Sequence, residues 1–116
     1  MIIDCKPGEC PVEATVGLVS NKWKIFIIGA LINDRVLRFG ELLKKTHGIS
    51  QKVLTDNLRD LERDGLVSRT VYAEVPPRVE YSLTDLGLSL TEVLKEVEKW
   101  GREYLKTHPF PNKYSK

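Results

Sequence analysis

The stretch Ile49-Ser50-Gln51-Lys52-Val53-Leu54-Thr55-Asp56-Asn57-Leu58-Arg59-Asp60-Leu61-Glu62-Arg63-Asp64-Gly65 decides how the chain is read. Ser50 is a good helix N-cap, because its hydroxyl can accept a bond from an orphan backbone N–H of the first turn. Leu54, Leu58 and Leu61 then recur at i, i+4 and i+7, one apolar stripe on a helix expected to reach about Arg63. Asp64-Gly65 supplies the stop. At about 100° per residue, Lys52, Thr55, Asp56, Arg59 and Arg63 project away from the stripe, and Ser50 and Gln51 occupy the helix start. Gln can pair bidentately with adenine and Arg with guanine, while Thr can serve a base edge or a phosphate. The backbone N–H groups of the helix start also favour a phosphate. Any amphipathic surface helix shows polar residues on one side, so the neighbouring elements must decide.

Upstream, a short helix is expected from about Phe39 to Thr46, with Phe39, Leu42 and Leu43 inward and His47-Gly48 closing it. Downstream the pattern turns to β. Leu66 to Tyr72 is rich in Val, Thr and Tyr, and in Arg78 to Leu83 the residues Val79, Tyr81 and Leu83 alternate with Arg78, Glu80 and Ser82. Between them Glu74-Val75-Pro76-Pro77 cannot continue a ladder, since neither proline has an N–H to donate. Two short helices joined by a tight turn and followed by a hairpin make a winged helix-turn-helix. In that arrangement the first helix lies across the DNA backbone and the second enters the major groove. The expected fold class is mainly α with a small β-hairpin wing.

Further out, Pro11 suits a first helical turn, and Val12, Val16 and Val19 continue a helix over residues 11 to 20. Ser20 or Asn21 can cap a second helix, about Lys22 to Ile32, in which Trp23 fills the core. Thr84 caps a long helix expected from Asp85 to about Leu105, with Leu86, Leu90, Val93, Val97, Trp100 and Tyr104 forming a heptad seam. On so small a monomer that seam would leave a large apolar strip exposed, so it is read as a homodimer interface, with part of it packed on its own subunit. The division expected is an N-terminal arm over 1–10, one DNA-binding and dimerisation domain over 11–105, and a flexible tail over 106–116. A chain of 116 residues fits one core.

The net charge is only +2, but its distribution is uneven. Residues 22 to 52 carry seven Lys/Arg against two carboxylates, and residues 53 to 98 carry five against ten, so one face can be positive under a near-neutral total. No apolar run approaches bilayer length and no secretory signal is visible, which leads to the expectation of a cytoplasmic protein without a membrane partner.

The sequence also resembles the HxlR family of prokaryotic winged-helix regulators. The resemblance is carried by Cys10-Pro11-Val12-Glu13, Lys22-Trp23 and Arg38-Phe39-Gly40-Glu41-Leu42. It continues through Gly48 to Thr55, Leu58-Arg59-Asp60-Leu61-Glu62, Gly65 to Arg69, Glu74 to Thr84, Gly87 and Trp100-Gly101. It spans residues 10 to 101 in consistent order, and implies a DNA-binding homodimer with terminal helices at the interface and the hairpin as wing. Arg38 is then placed to meet a phosphate or to pair with Glu41. Arg78 can reach the minor groove or a phosphate, or can pair with Glu80 or Glu74.

Catalytic signatures are missing: no G-x-x-x-x-G-K-[ST], no H-E-x-x-H and no G-x-S-x-G occurs. His47 reads as a residue favourable to a helix C-terminus, and neither a metal nor another cofactor is implied. The reading is of a transcription regulator and not an enzyme, and its effector is not specified by the sequence. The rivals are a winged helix that docks proteins without touching DNA, and a small-molecule binder or enzyme. The outward Lys52, Thr55 and Arg59 and the basic 22–52 segment argue against the first, and no convergent polar set supports the second.

Cys5 and Cys10 form the redox-sensing candidate. Cys10 precedes Pro11 and should cap the first helix, where the dipole favours a thiolate. Asp4, Glu9 and Glu13 oppose that charge and Lys6 offsets them only in part. A standing disulfide is not expected in a cytoplasmic protein. The resemblance implies that a cysteine matching Cys10 senses oxidants or electrophiles in some members of the family.

Overall fold

A computed structural model describes residues 6–111. The elements follow in the order α1 (Pro11–Leu18), α2 (Lys22–Asp34), β1 (Val36–Arg38), α3 (Phe39–Lys45), α4 (Gln51–Arg63), β2 (Val67–Tyr72), β3 (Arg78–Leu83), α5 (Asp85–Leu88) and α6 (Leu90–Thr107). Four helices start where the sequence supplies an acceptor for an orphan N–H. Cys10 Sγ accepts from Glu13 N at 3.5 Å, Asn21 Oδ1 from Lys24 N at 3.0 Å, Ser50 Oγ from Val53 N at 3.1 Å and Thr84 Oγ1 from Gly87 N at 3.0 Å. Gly65, just beyond the end of α4, has φ 81°, a left-handed conformation that glycine adopts without strain.

The core is a three-way contact. Ile27, Ile28 and Leu31 of α2 meet Leu54, Leu58 and Leu61 of α4, with Leu42 of α3 beside them. Leu37, Leu66, Val67, Tyr81 and Leu83 close it from the sheet side. Trp23 is half-buried against this core, its ring edge-on to Phe26 at 5.9 Å. The fold is thus the mainly helical winged helix-turn-helix that the sequence indicated.

Two features differ from expectation. The wing belongs to a three-stranded antiparallel sheet of order β1-β3-β2, because Val36–Arg38 pairs with Ser82, Tyr81 and Glu80 of β3. Three residues are too few to show an alternation; only the buried Leu37 between exposed Val36 and Arg38 marks the strand. The long helix expected from Asp85 to Leu105 is instead two, α5 and α6, broken at Ser89. There the Ser89 hydroxyl donates to Leu86 O at 2.5 Å, and its N–H is shared between Asp85 O and Leu86 O, at 3.0 and 3.2 Å. Such side-chain and three-centre bonds tighten the turn and compete with the regular ladder.

The other boundaries shift by a turn or less: α1 ends at Leu18, α2 runs on to Asp34, and α6 extends to Thr107, into the segment assigned to the tail. Residues 1–5 of the arm and 112–116 of the tail lie outside the described residues.

The junction of wing and terminal helices is held by one threonine. Thr84 caps α5, its hydroxyl donates to Gly65 O at 2.6 Å, and its N–H donates to Leu66 O at 3.0 Å. This draws Gly87 so close to β2 that a Cβ there would overlap the Leu66 carbonyl and crowd Leu83. Backbone cannot yield as a flexible side-chain end can. Gly87→Ala should therefore destabilise the fold by about 1–3 kcal/mol, read as a lower urea midpoint with an unchanged slope, whereas Gly101→Ala, which meets open space, should not.

Candidate nucleic-acid interface

The turn between α3 and α4 is built by two left-handed residues, His47 (φ 38°) and Gly48 (φ 96°). Thr46 is buried there and returns its hydroxyl to Leu42 O at 2.7 Å. Ile49, 7% exposed, then anchors the entry to α4. With Leu54, Leu58 and Leu61 turned inward, α4 presents Gln51, Lys52, Asp56, Arg59, Glu62 and Arg63 to solvent, with Thr55 half-buried at the edge. Ser50 is exposed too, but its oxygen is committed to the cap.

The structure sorts the cations of this surface into two groups. Some already have anionic partners. Lys52 Nζ lies 2.7 Å from Asp56 Oδ2, and its hydrogen bond holds the Asp56 carboxyl below the ordinary aspartate range, with Arg59 adding a smaller pull. Asp56 therefore stays ionised at neutral pH and competes with any phosphate for Lys52. Arg78 is tied more completely: its guanidinium lies 3.3 Å from Glu74, 3.5 Å from Glu80 and 4.0 Å from the Tyr72 ring. The pairing expected of Arg78 with Glu80 or Glu74 is present, to both at once.

The second group is Arg38, Arg59 and Arg69, none of which makes an ion pair among the described residues. The contact weighed between Arg38 and Glu41 exists, but the Arg38 backbone makes it, donating to Glu41 Oε1 at 2.8 Å as α3 begins. That leaves the exposed Arg38 side chain uncommitted. Arg59 and Arg69 share a cleft of about 350 Å³ between α4 and the wing, lined also by Thr55, Leu58, Glu62, Phe39 and Tyr81.

Arg69 was missed in the sequence. Its signal is the register: it pairs directly with the buried Tyr81, and partners across a ladder share a face, so Arg69 stands on the side of the sheet that faces α4.

Cys10 takes the predicted place at the start of α1 and is 9% exposed. It differs from expectation in its chemistry, because its sulfur is engaged in a disulfide. A turn over Lys6–Glu9, closed by Glu9 N to Lys6 O at 3.1 Å with Gly8 at φ 84°, reverses the chain directly before the helix. Cys5, the other member of the redox candidate, lies outside the described residues. Among the described residues no cluster of His, Cys, Asp and Glu could hold a metal, and no single helix is long and apolar enough to cross a membrane.

The seam residues are placed unequally. Leu90 packs on the core, Tyr104 is half-buried and stacked on Trp100 at 5.5 Å, and Leu86, Val93, Val97 and Trp100 are 59, 45, 60 and 70% exposed.

This architecture and its charged α4 surface are those of winged helix-turn-helix transcriptional regulators. The chain belongs to the HxlR-like helix-turn-helix family, whose model matches residues 18–109. The HTH-type transcriptional regulator YdeP of Bacillus subtilis (strain 168) is 45% identical over 95 residues, covering 82% of this chain and 73% of YdeP. Among solved structures, a MarR-family regulator from Porphyromonas gingivalis W83 superposes with a TM-score of 0.78 at 43% identity, over 86% of this chain and 97% of that one. The redox regulator HypR in its reduced form gives 0.77 at 40% identity, over 84% and 99%.

Salt dependence separates the two groups of cations. Replacing Arg59 or Arg69 with Ala should each lower the slope of log affinity against log salt by about one, measured by fluorescence anisotropy on a mixed-sequence duplex. Arg78→Ala should leave that slope unchanged, because Glu74 and Glu80 already balance its charge.

Proposed function

We propose that the chain is a homodimeric, sequence-specific DNA-binding regulator, with α4 in the major groove and the wing beside it. The observation that carries this is Arg59 of α4 and Arg69 of β2 facing one cleft, with the exposed Arg38 before α3, none of the three in an ion pair among the described residues. Gln51 at the helix start, Thr55 and Arg59 supply base-edge chemistry, while Lys52 reaches a phosphate by exchanging Asp56 for it. A module that only docks proteins has no need to leave those charges uncompensated.

The dimer reading rests on α6, none of whose residues is buried. The Cα radius of gyration is 15.9 Å, against roughly 13 Å for a compact domain of this size, because the helix reaches beyond the body. Beside it, a groove of about 460 Å³ between α2 and α6, lined by Ile25, Ile32, Leu94 and Val97, continues the apolar face. A second copy set there would cover both; reading two half-sites would then require its α4 helix to lie about 34 Å away, one helical turn of DNA. Val97→Asp should put an unpaired charge in that contact. Sedimentation should then show a monomer at micromolar concentration, with weaker binding to a two-half-site duplex; a monomeric wild type would overturn the dimer.

A redox response belongs to the same reading, supported by the disulfide at Cys10 and by the likeness to HypR. Reduction would release the sulfur that caps α1 and alter how α1 meets the second subunit. Wild-type affinity for DNA should differ between dithiothreitol and diamide, and Cys10→Ser should bind equally in both. Equal wild-type affinity would remove regulation from the cysteine.

A further inference from the structure

The contact between α2 and α4 is not purely apolar. Besides Thr46 in the turn, the buried polar side chains among the described residues are Lys24 of α2 and Asn57 of α4, 6 and 7% exposed, and both lie in this one contact. Lys24 Nζ is 3.6 Å from Asp60 Oδ2, while Asp60 Oδ1 receives Arg63 at 3.1 Å. Both ends of the Asn57 amide are engaged locally: Nδ2 donates to Val53 O at 2.8 Å and Oδ1 accepts from Asn21 Nδ2 at 3.0 Å. Asn21 in turn caps α2 through its own Oδ1. Asn57 and Asp60 follow Val53 at four and seven residues, so a polar lane runs directly beside the Leu54, Leu58 and Leu61 lane.

The two lanes constrain the helix differently. Leucine contacts are non-directional, and their energy changes little if α4 rolls or slides slightly on α2. A hydrogen bond weakens steeply with angle and distance, and an ion pair inside the protein has few other partners to choose from. Buried polar pairs of this kind add little net stability over apolar residues of equal volume; where they matter, it is in fixing register.

We propose that Lys24, Asn57 and Asp60 are positioning residues for DNA recognition. The Lys24–Asp60 pair and the Asn21–Asn57 bond set the roll and axial position of α4 on α2, and hence which base edges Gln51, Thr55 and Arg59 can reach. Lys24 and Asn57 are too buried to touch DNA themselves. This rests on the DNA-binding reading and names what holds that site in place.

The test separates selectivity from stability and from charge. The probes are a duplex enriched by the wild-type protein from a random-sequence pool and a mixed-sequence duplex of the same length. Lys24→Met keeps volume and Asn57→Leu keeps the branched shape, and both remove the directional contacts; Asp60 keeps Arg63, and the exposed Asn21 can turn to water. Each variant should melt near the wild-type temperature and bind the mixed-sequence duplex with unchanged affinity and salt slope. Affinity for the enriched duplex should fall at least fivefold.

A folded Lys24→Met with the wild-type ratio between the two duplexes overturns the positioning role. So does an equal loss on both duplexes with a reduced salt slope, which would make Lys24 a phosphate contact. Should Lys24→Met fail to fold, Asp60→Asn, at a partly exposed carboxylate, carries the same expectation. A wild type that enriches no sequence overturns the DNA reading and the positioning role together. One that does enrich a sequence, with the variants equal to it, overturns the positioning role alone.

Discussion

Ile27, Ile28 and Leu31 on one helix and Leu54, Leu58 and Leu61 on another exclude water from each other almost completely, and each is at most 2% exposed. A helix of thirteen residues is marginal alone in water, so α4 exists as a helix because this face is buried. Its opposite face is then free to be chosen for chemistry. Most other parts of the chain brace this arrangement: α3 lays Leu42 beside it, Ile49 pins its entry, and the sheet covers the remaining side with Tyr81 and Leu83.

What was legible in the sequence follows from how local each cause is. The caps at Ser50, Asn21 and Thr84, the stop at Gly65 and the leucine stripe act within a few residues, and the helices and hairpin appear where those signals lie. The features that escaped depend on partners distant in the chain or on fine geometry. β1 exists only because β3 is there to receive it, more than forty residues later. The break at Ser89 depends on one hydroxyl choosing a carbonyl in its own turn. Arg69 gains meaning from the residue opposite it.

Electrostatics shows the same limit from another side. A count of Lys and Arg placed positive charge around the helix-turn-helix, but it gave Lys52, Arg59 and Arg78 equal standing. The fold distinguishes them. Arg78 is folded into the wing as a structural strut between two carboxylates and a ring, Lys52 is shared with its helical neighbour, and Arg59 faces an open cleft. Charge that a protein leaves uncompensated at its surface is costly to crowd together and is the most available to a polyanion.

The contact at Gly87 bears on how such a chain can change over generations. Every codon for glycine lies one base away only from residues that carry a Cβ, from a stop, or from another glycine codon. At this position the Leu66 carbonyl occupies the place a Cβ would take. The exposed face of α4 and the cleft beside it meet no such backbone and can be rewritten base by base. The hinge between wing and terminal helix has no neighbouring genotype that keeps its geometry, so relatives with different α4 surfaces should still carry α5 at the same distance from the sheet.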